Sequence, residues 1–212
     1  MQRLLARLYD AHIEHTPQEF LISDRRRLER ILGAEARDVS DEHVFIVQDG
    51  DEVRVGLFVD AAVLARLARK DPLQDLDERN LQDFCTALEG VSHFHYLLWS
   101  LSREREVSLL ELELQAEVDK YACALLLLMQ QRQGEFPRSL HAAMFDRVSF
   151  TASLEASERQ RYEEANRHAA RYCRDLDERF LKPRRSRPEA WVSELRCFFR
   201  FPHHRKLVAA MR

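Results

Sequence analysis

The chain has little glycine and little proline, five and six residues among 212. Both residues interrupt helices and form turns, so their scarcity favours long helices over a many-stranded sheet. Long apolar runs are also missing: the longest, Ala122–Met129, covers eight residues, whereas a membrane-spanning helix needs roughly 20. The sequence therefore predicts a mainly helical protein with no membrane segment and no membrane partner.

Several catalytic and binding motifs are absent as well. The four cysteines stand singly and never in the CxxC spacing of zinc ribbons and redox pairs. The chain contains no GxGxxG, GxxxxGK[ST], GxSxG or HExxH pattern. Nucleotide-dependent enzymes, α/β-hydrolases and the common zinc proteases therefore have no support from motifs. Arg7 stands where a signal peptide would need its apolar centre, which favours a cytoplasmic location.

The one clear β signal is a pair of apolar, β-branched runs at 43–47 and 53–59, on either side of Asp49-Gly50. This pattern predicts a hairpin. A hairpin alone is marginally stable, so we expect a third strand at 20–22 or packing on a helix. The fold class predicted is α+β, mainly α: a hairpin or small antiparallel sheet packed on a helical bundle.

Helical periodicity dominates the rest of the chain. Helices are predicted at 2–15, 25–32, 61–69, 80–102, 107–133, 140–145 and 155–182. We expect a single α+β domain over 1–182, with the hairpin at about 43–59 and the bundle at about 61–182. Residues 183–212 are expected to form a basic, aromatic, helical arm that docks on this domain.

Two predicted helices carry acidic residues and a histidine at helical spacing. Glu89 and His93 are four residues apart, as are Glu113 and Glu117, so each pair shares a helix face. If the helices pack antiparallel, these four side chains form a candidate site for Zn, Mn or Fe. Glu89 is then also a candidate general base of a hydrolase. The alternative is a hydrogen-bonded Glu89–His93 pair in the core and ordinary surface glutamates.

The C-terminal arm differs from the rest of the chain in charge. Residues 182–212 contain nine basic and two acidic residues, a net charge of +7, within a chain of net charge −3. Arginine and aromatic residues are common in interface cores. The candidate interaction residues are Arg184, Arg185, Arg187, Trp191, Arg196 and Arg200. A protein is the favoured partner and nucleic acid a weaker one, since the overall pI is near 6.3; the alternative is intramolecular docking.

Two functions are consistent with these patterns. The first is a non-catalytic protein-interaction or adaptor module, which follows from the charge asymmetry and the absence of enzyme motifs. The second is a metal-binding helical-bundle protein, including a hydrolase, which follows from the glutamate and histidine spacing.

Overall fold

The structure, a computed structural model, describes residues 1–37, 39–49, 52–146, 155–182 and 187–211. It is mainly helical, at 68%, with a small three-stranded sheet, which confirms the predicted fold class. None of the helices in the described ranges is long and apolar enough to cross a membrane.

The sheet is built from the predicted hairpin and one short additional strand. Its strands are β1 (Leu21–Ile22), β2 (Glu42–Asp49) and β3 (Glu52–Val59), in the order β1-β3-β2. β2 and β3 are antiparallel, as predicted, whereas β1 pairs parallel to β3. The sheet is therefore mixed rather than purely antiparallel. The chain passes through a helix and β2 before it reaches β3, and this crossover makes the parallel pairing possible.

Ten α-helices lie in the described ranges. They are α1 (Gln2–Tyr9), α2 (Pro17–Phe20), α3 (Arg25–Leu32), α4 (Ala61–Arg69), α5 (Leu81–Leu101), α6 (Leu109–Gln131), α7 (Leu140–Phe145), α8 (Ala156–Leu176), α9 (Pro188–Arg200) and α10 (His203–Ala210). A 3₁₀ turn, Gly33–Arg37, follows α3, and a π-helical turn, Asp177–Leu181, follows α8. The predicted long helix over 155–182 thus changes its hydrogen bonding in its last turn.

Local signals explain where several helices begin and end. The side chains of Asp24, Asp60 and Ser108 accept hydrogen bonds from backbone N–H groups in the first turns of α3, α4 and α6, and these caps satisfy donors that a helix leaves unpaired. α1 ends earlier than predicted because Asp10 adopts the left-handed conformation at φ 49°. Aspartate tolerates this conformation better than most residues, and it stops the helix.

α5 and α6 form the centre of the bundle and pack antiparallel. Residues late in α5 contact residues early in α6: Tyr96 donates a hydrogen bond to Glu111, and Ser92 donates one to Asp119. The side chains of α9 and α10 join the same buried core. These members are Trp191, Leu195, Phe198, Phe199 and Ala210.

Candidate metal centre

His93 lies at the middle of a buried acidic cluster between α5, α6 and β2. Its Nε2 is 3.3 Å from Oε2 of Glu113, and its Nδ1 is 3.9 Å from Oε2 of Glu42. The His93 side chain is only 7% exposed. Glu42 Oε2 has no hydrogen-bond partner among the described residues, and the contact of His93 Nε2 with Glu113 is an ion pair rather than a well-aligned hydrogen bond. Buried polar atoms are normally hydrogen-bonded, so both atoms would be stabilised by a further partner.

Three of the four predicted metal ligands come together in the structure. Glu89, His93 and Glu113 each present a ligand atom, and these atoms all lie within 4.8 Å of one another. Glu89 and His93 are one turn apart on α5, and Glu113 faces them from the antiparallel α6. The helical spacing seen in the sequence thus produces a shared site once the two helices pack.

Glu117, the fourth predicted ligand, has a different partner. Lys120 Nζ donates hydrogen bonds of 2.8 Å to both Glu117 Oε1 and Glu89 Oε2. Lys120 is three residues after Glu117 on α6, so the two side chains share a face. Glu117 therefore lies beside the group of three, and Lys120 connects it to Glu89.

Glu42 is the acidic residue of this cluster that sequence reasoning missed. It is the first residue of β2 and has no helical spacing to the other acidic residues. The sequence indicates the position of Glu42 only indirectly: Gly90 in the middle of α5 suggests that another segment of the chain approaches the helix closely there. A Cβ atom at Gly90 would lie 2.9 Å from Leu57 Cδ1 and 3.1 Å from Glu42 Oε2. The absence of a side chain at Gly90 lets the sheet approach the helix and brings Glu42 to His93.

We expect Gly90→Ala to lower the free energy of unfolding by about 1 kcal/mol. Overpacking costs about 1–3 kcal/mol, whereas the higher helix propensity of alanine relative to glycine stabilises the helix by about 1 kcal/mol. Urea unfolding of wild type and variant measures this difference. In a Leu57→Ala background the clash with the Leu57 side chain is gone, so Gly90→Ala should become neutral or stabilising. A gain of stability in the otherwise unchanged chain would contradict the close approach of helix and sheet.

The cluster carries more negative than positive charge. Its carboxylates are Glu42, Glu89, Glu113 and Glu117. Its positive side chains are Lys120 and Arg161 of α8, whose Nε is 3.7 Å from Glu113 Oε1. With a neutral His93, these side chains leave two uncompensated negative charges. Burial makes such charges costly unless protons or a cation neutralise them.

Two protons supply this compensation in the metal-free chain. Burial lowers the pKa of His93, but the neighbouring Glu113, Glu42 and Glu89 outweigh burial and raise it to about 9. Burial and the nearby Glu89 raise the pKa of Glu42 to about 8. At neutral pH the imidazole is therefore cationic and the Glu42 carboxyl is protonated. The two protons replace the two missing positive charges.

Glu89 is held in its ionised form. Burial raises its pKa, but Lys120 and His93 have the larger combined effect, and the pKa falls below its ordinary value. An ionised carboxylate of low pKa is a good metal ligand and a weak base. The environment of Glu89 therefore favours the ligand role over the general-base role.

The chain matches no family model, no curated protein and no solved structure.

Four of the six candidate interaction residues of the arm contact other parts of the chain. Trp191 is buried in the core. Arg196 donates hydrogen bonds to the carbonyls of Arg7 and Leu8, and Arg200 donates to those of Tyr9 and Asp10. These carbonyls are at the C-terminal end of α1, where a helix leaves acceptors unpaired and favours positive charge. Among the remaining candidates, Arg187 is exposed and lies over the Phe180 ring; Arg184 and Arg185 lie outside the described residues.

A second buried polar network joins four helices, and sequence reasoning missed it too. Asp119 of α6 accepts hydrogen bonds from Tyr9 of α1, Ser92 of α5 and its neighbour Gln115. Lys206 of α10, which is completely buried, donates to Gln115. Burial lowers the pKa of Lys206 to about 7, against the opposite effect of nearby carboxylates. This network ties the first and last helices of the chain to the centre of the bundle.

Proposed function

We propose that this protein binds one divalent transition-metal ion between α5, α6 and β2, with Glu89, His93 and Glu113 as ligands and Glu42, on the Nδ1 side of His93, as a neighbouring carboxylate that contributes charge. The observation that carries the proposal is the convergence of three ligand atoms, from Glu89, His93 and Glu113, within 4.8 Å of one another in a buried cluster that has more carboxylates than cations. Glu42 Oε2, which has no hydrogen-bond partner among the described residues, lies beside them on the Nδ1 side of His93.

The geometry supports this assignment. Two ligands of one ion lie at most about 4.4 Å apart, twice a metal–oxygen bond of about 2.2 Å. The ligand atoms of Glu89, His93 and Glu113 lie within 4.8 Å of one another, so small side-chain rotations bring them into bonding distance. One imidazole with several carboxylates suits Zn, Mn or Fe.

The charge of the cluster supports a dication in particular. The fixed side chains leave two negative charges when His93 is neutral, and one divalent ion compensates both. A ligating histidine must be neutral, and a nearby dication favours the ionised form of a carboxyl group, so metal binding would displace the protons from His93 and Glu42. The total charge of the cluster is therefore the same whether it holds these two protons or one divalent metal ion.

The two other functions considered from the sequence have less support. An interaction module that uses the basic arm has less support because Trp191 is buried and because Arg196 and the exposed Arg200 already donate hydrogen bonds to the end of α1. A hydrolase with Glu89 as general base would need a carboxylate that accepts protons readily, whereas Lys120 stabilises its ionised form. Binding of the ion is the function that the contacts favour.

Metal content tests the proposal. Protein produced without a His tag and reconstituted separately with Zn²⁺, Mn²⁺ or Fe²⁺ should retain about one equivalent of at least one ion after desalting, as measured by inductively coupled plasma mass spectrometry. His93→Ala should reduce the retained metal at least about tenfold.

A matched control separates loss of a ligand from loss of a buried histidine. His168 of α8 is as buried as His93, at 6% exposed, but contacts only Glu164 among acidic groups in the described ranges. His168→Ala should retain the metal. If wild-type protein binds none of the three ions and none raises its melting temperature, the proposal is wrong.

A further inference from the structure

Lys120 has an unusual position for a buried lysine. Its side chain is 10% exposed, and its ammonium group lies between two carboxylates, 2.8 Å from Glu89 Oε2 and 2.8 Å from Glu117 Oε1. Glu89 in turn belongs to the group formed with His93 and Glu113. One carboxylate is thus shared between the proposed metal ion on one side and the ammonium on the other.

A carboxylate placed between two cations is also a feature of two-metal sites. In two-metal sites, the ions are about 3.5–4 Å apart and share ligands. Here Glu89 would be the shared ligand, Glu113 a ligand of the first ion and Glu117 a ligand of the second. Glu113 and Glu117 are one helical turn apart, which is the spacing that lets both reach neighbouring positions from α6.

We propose that Lys120 occupies the position of a second divalent ion and so limits the proposed metal site to one ion. This inference rests on the proposed function. An ammonium group neutralises one negative charge and donates hydrogen bonds in variable directions, but it accepts no ligand and activates no water. Lys120 is thus a specificity-determining residue, because it limits the chain to one bound metal ion and prevents Glu117 from coordinating a second one.

A purely structural role for Lys120 leads to a different expectation. If the ammonium only neutralises Glu89 and Glu117, its removal leaves two unpaired buried carboxylates and a less stable protein with at most one ion. If it holds the position of a second ion, its removal exposes a vacant carboxylate pair beside the first ion. The number of bound ions distinguishes the two roles, whereas a change in stability does not.

The experiment uses Mn²⁺ alone, in the full-length chain, because this ion has a spectroscopic signature. Equilibrium dialysis with metal analysis gives the stoichiometry, and electron paramagnetic resonance reports coupling between neighbouring ions. We expect one Mn²⁺ in wild type, two spin-coupled Mn²⁺ in Lys120→Met, and one in the double variant Lys120→Met/Glu117→Gln. Lys120→Arg, which keeps a cation, should bind one.

Lys182→Met is the control for loss of a lysine that pairs with a glutamate elsewhere. Lys182 lies 3.9 Å from Glu178 at the surface, and its replacement should leave one ion bound. If wild type binds one ion and Lys120→Met binds one or none, the inference is wrong while the proposed function stands. If wild type binds no Mn²⁺, the inference is wrong, and the proposed function itself fails only if Zn²⁺ and Fe²⁺ are not retained either.

A folding defect does not remove the test. If Lys120→Met is unfolded without metal, the second ion should restore its folding, because it replaces the lost positive charge. Circular dichroism during titration with Mn²⁺ measures this rescue, and Lys120→Gln, which keeps a hydrogen-bond donor, gives a second variant for the same titration. Failure of both variants to fold at saturating Mn²⁺ would overturn the inference.

Discussion

Replacing Phe199 by alanine is expected to lower the free energy of unfolding by about 3–5 kcal/mol, the usual cost of removing a fully buried aromatic side chain. Phe199 has no exposed surface. Its ring stacks on Tyr9 at 4.2 Å between centroids and packs at 4.7 Å from Trp99. The ring fills the contact between α9, α1 and α5, so a smaller side chain leaves a cavity at the junction of three helices. Urea unfolding followed by circular dichroism measures the change.

Val208→Ala provides the control for this experiment. Val208 belongs to α10 in the same C-terminal segment but is 56% exposed, so its truncation should change stability by less than about 0.5 kcal/mol. A loss below about 1 kcal/mol in Phe199→Ala would mean that α9 contributes little to the core. The basic arm would then be a detachable segment, and a role in partner binding would regain support.

Metal affinity is expected to rise steeply with pH. The pKa values of about 9 for His93 and about 8 for Glu42 mean that both groups hold a proton at neutral pH. An ion must displace both protons, so the apparent association constant should increase by up to about 100-fold per pH unit between about pH 6 and 8. Isothermal titration calorimetry with Zn²⁺, in buffers of different ionisation enthalpy, measures affinity and the protons released.

The metal-free protein should show the opposite trend in stability. The pKa of His93 is raised from 6.5 to about 9 in the folded state. Protonated His93 therefore makes its full contribution to the free energy of unfolding below pH 6.5, and this contribution is lost as the pH rises through 9. The pKa of Glu42 is raised from 4.5 to about 8, so the contribution of protonated Glu42 to the free energy of unfolding is lost as the pH rises from about 4.5 to about 8.

Glu42→Gln should reduce the number of protons released on Zn²⁺ binding by about one. An affinity that does not change with pH would contradict the displacement of protons.

The elements predicted best are those whose signals are local. α3, α4 and α7 have the bounds predicted from capping residues and periodicity. The hairpin follows from its alternating runs, and the common helix face of Glu89 and His93 on α5 follows from a spacing of four residues. Each of these patterns lies within one segment of the chain and needs no knowledge of packing.

The parts that could not be predicted depend on contacts between distant segments. Glu42 joins His93 only because the sheet packs against α5 at Gly90. The role of Glu117 could not be predicted because its partner Lys120 links it to Glu89, and only the packing of α5 against α6 brings Glu89 to Lys120. Arg196 and Arg200 donate hydrogen bonds to backbone carbonyl groups. Every residue has such a group, so the sequence does not indicate which ones accept these bonds.

The contact between the first and ninth helices has a consequence for synthesis of the chain. Arg196 and its acceptor Leu8 are 188 residues apart. At about 5–20 residues per second, a ribosome needs about 10–40 s to add the residues between them. During that time α1 lacks its capping arginines and the aromatic surface that covers Tyr9. The apolar surface around Tyr9 therefore remains uncovered in the nascent chain until α9 has been synthesised.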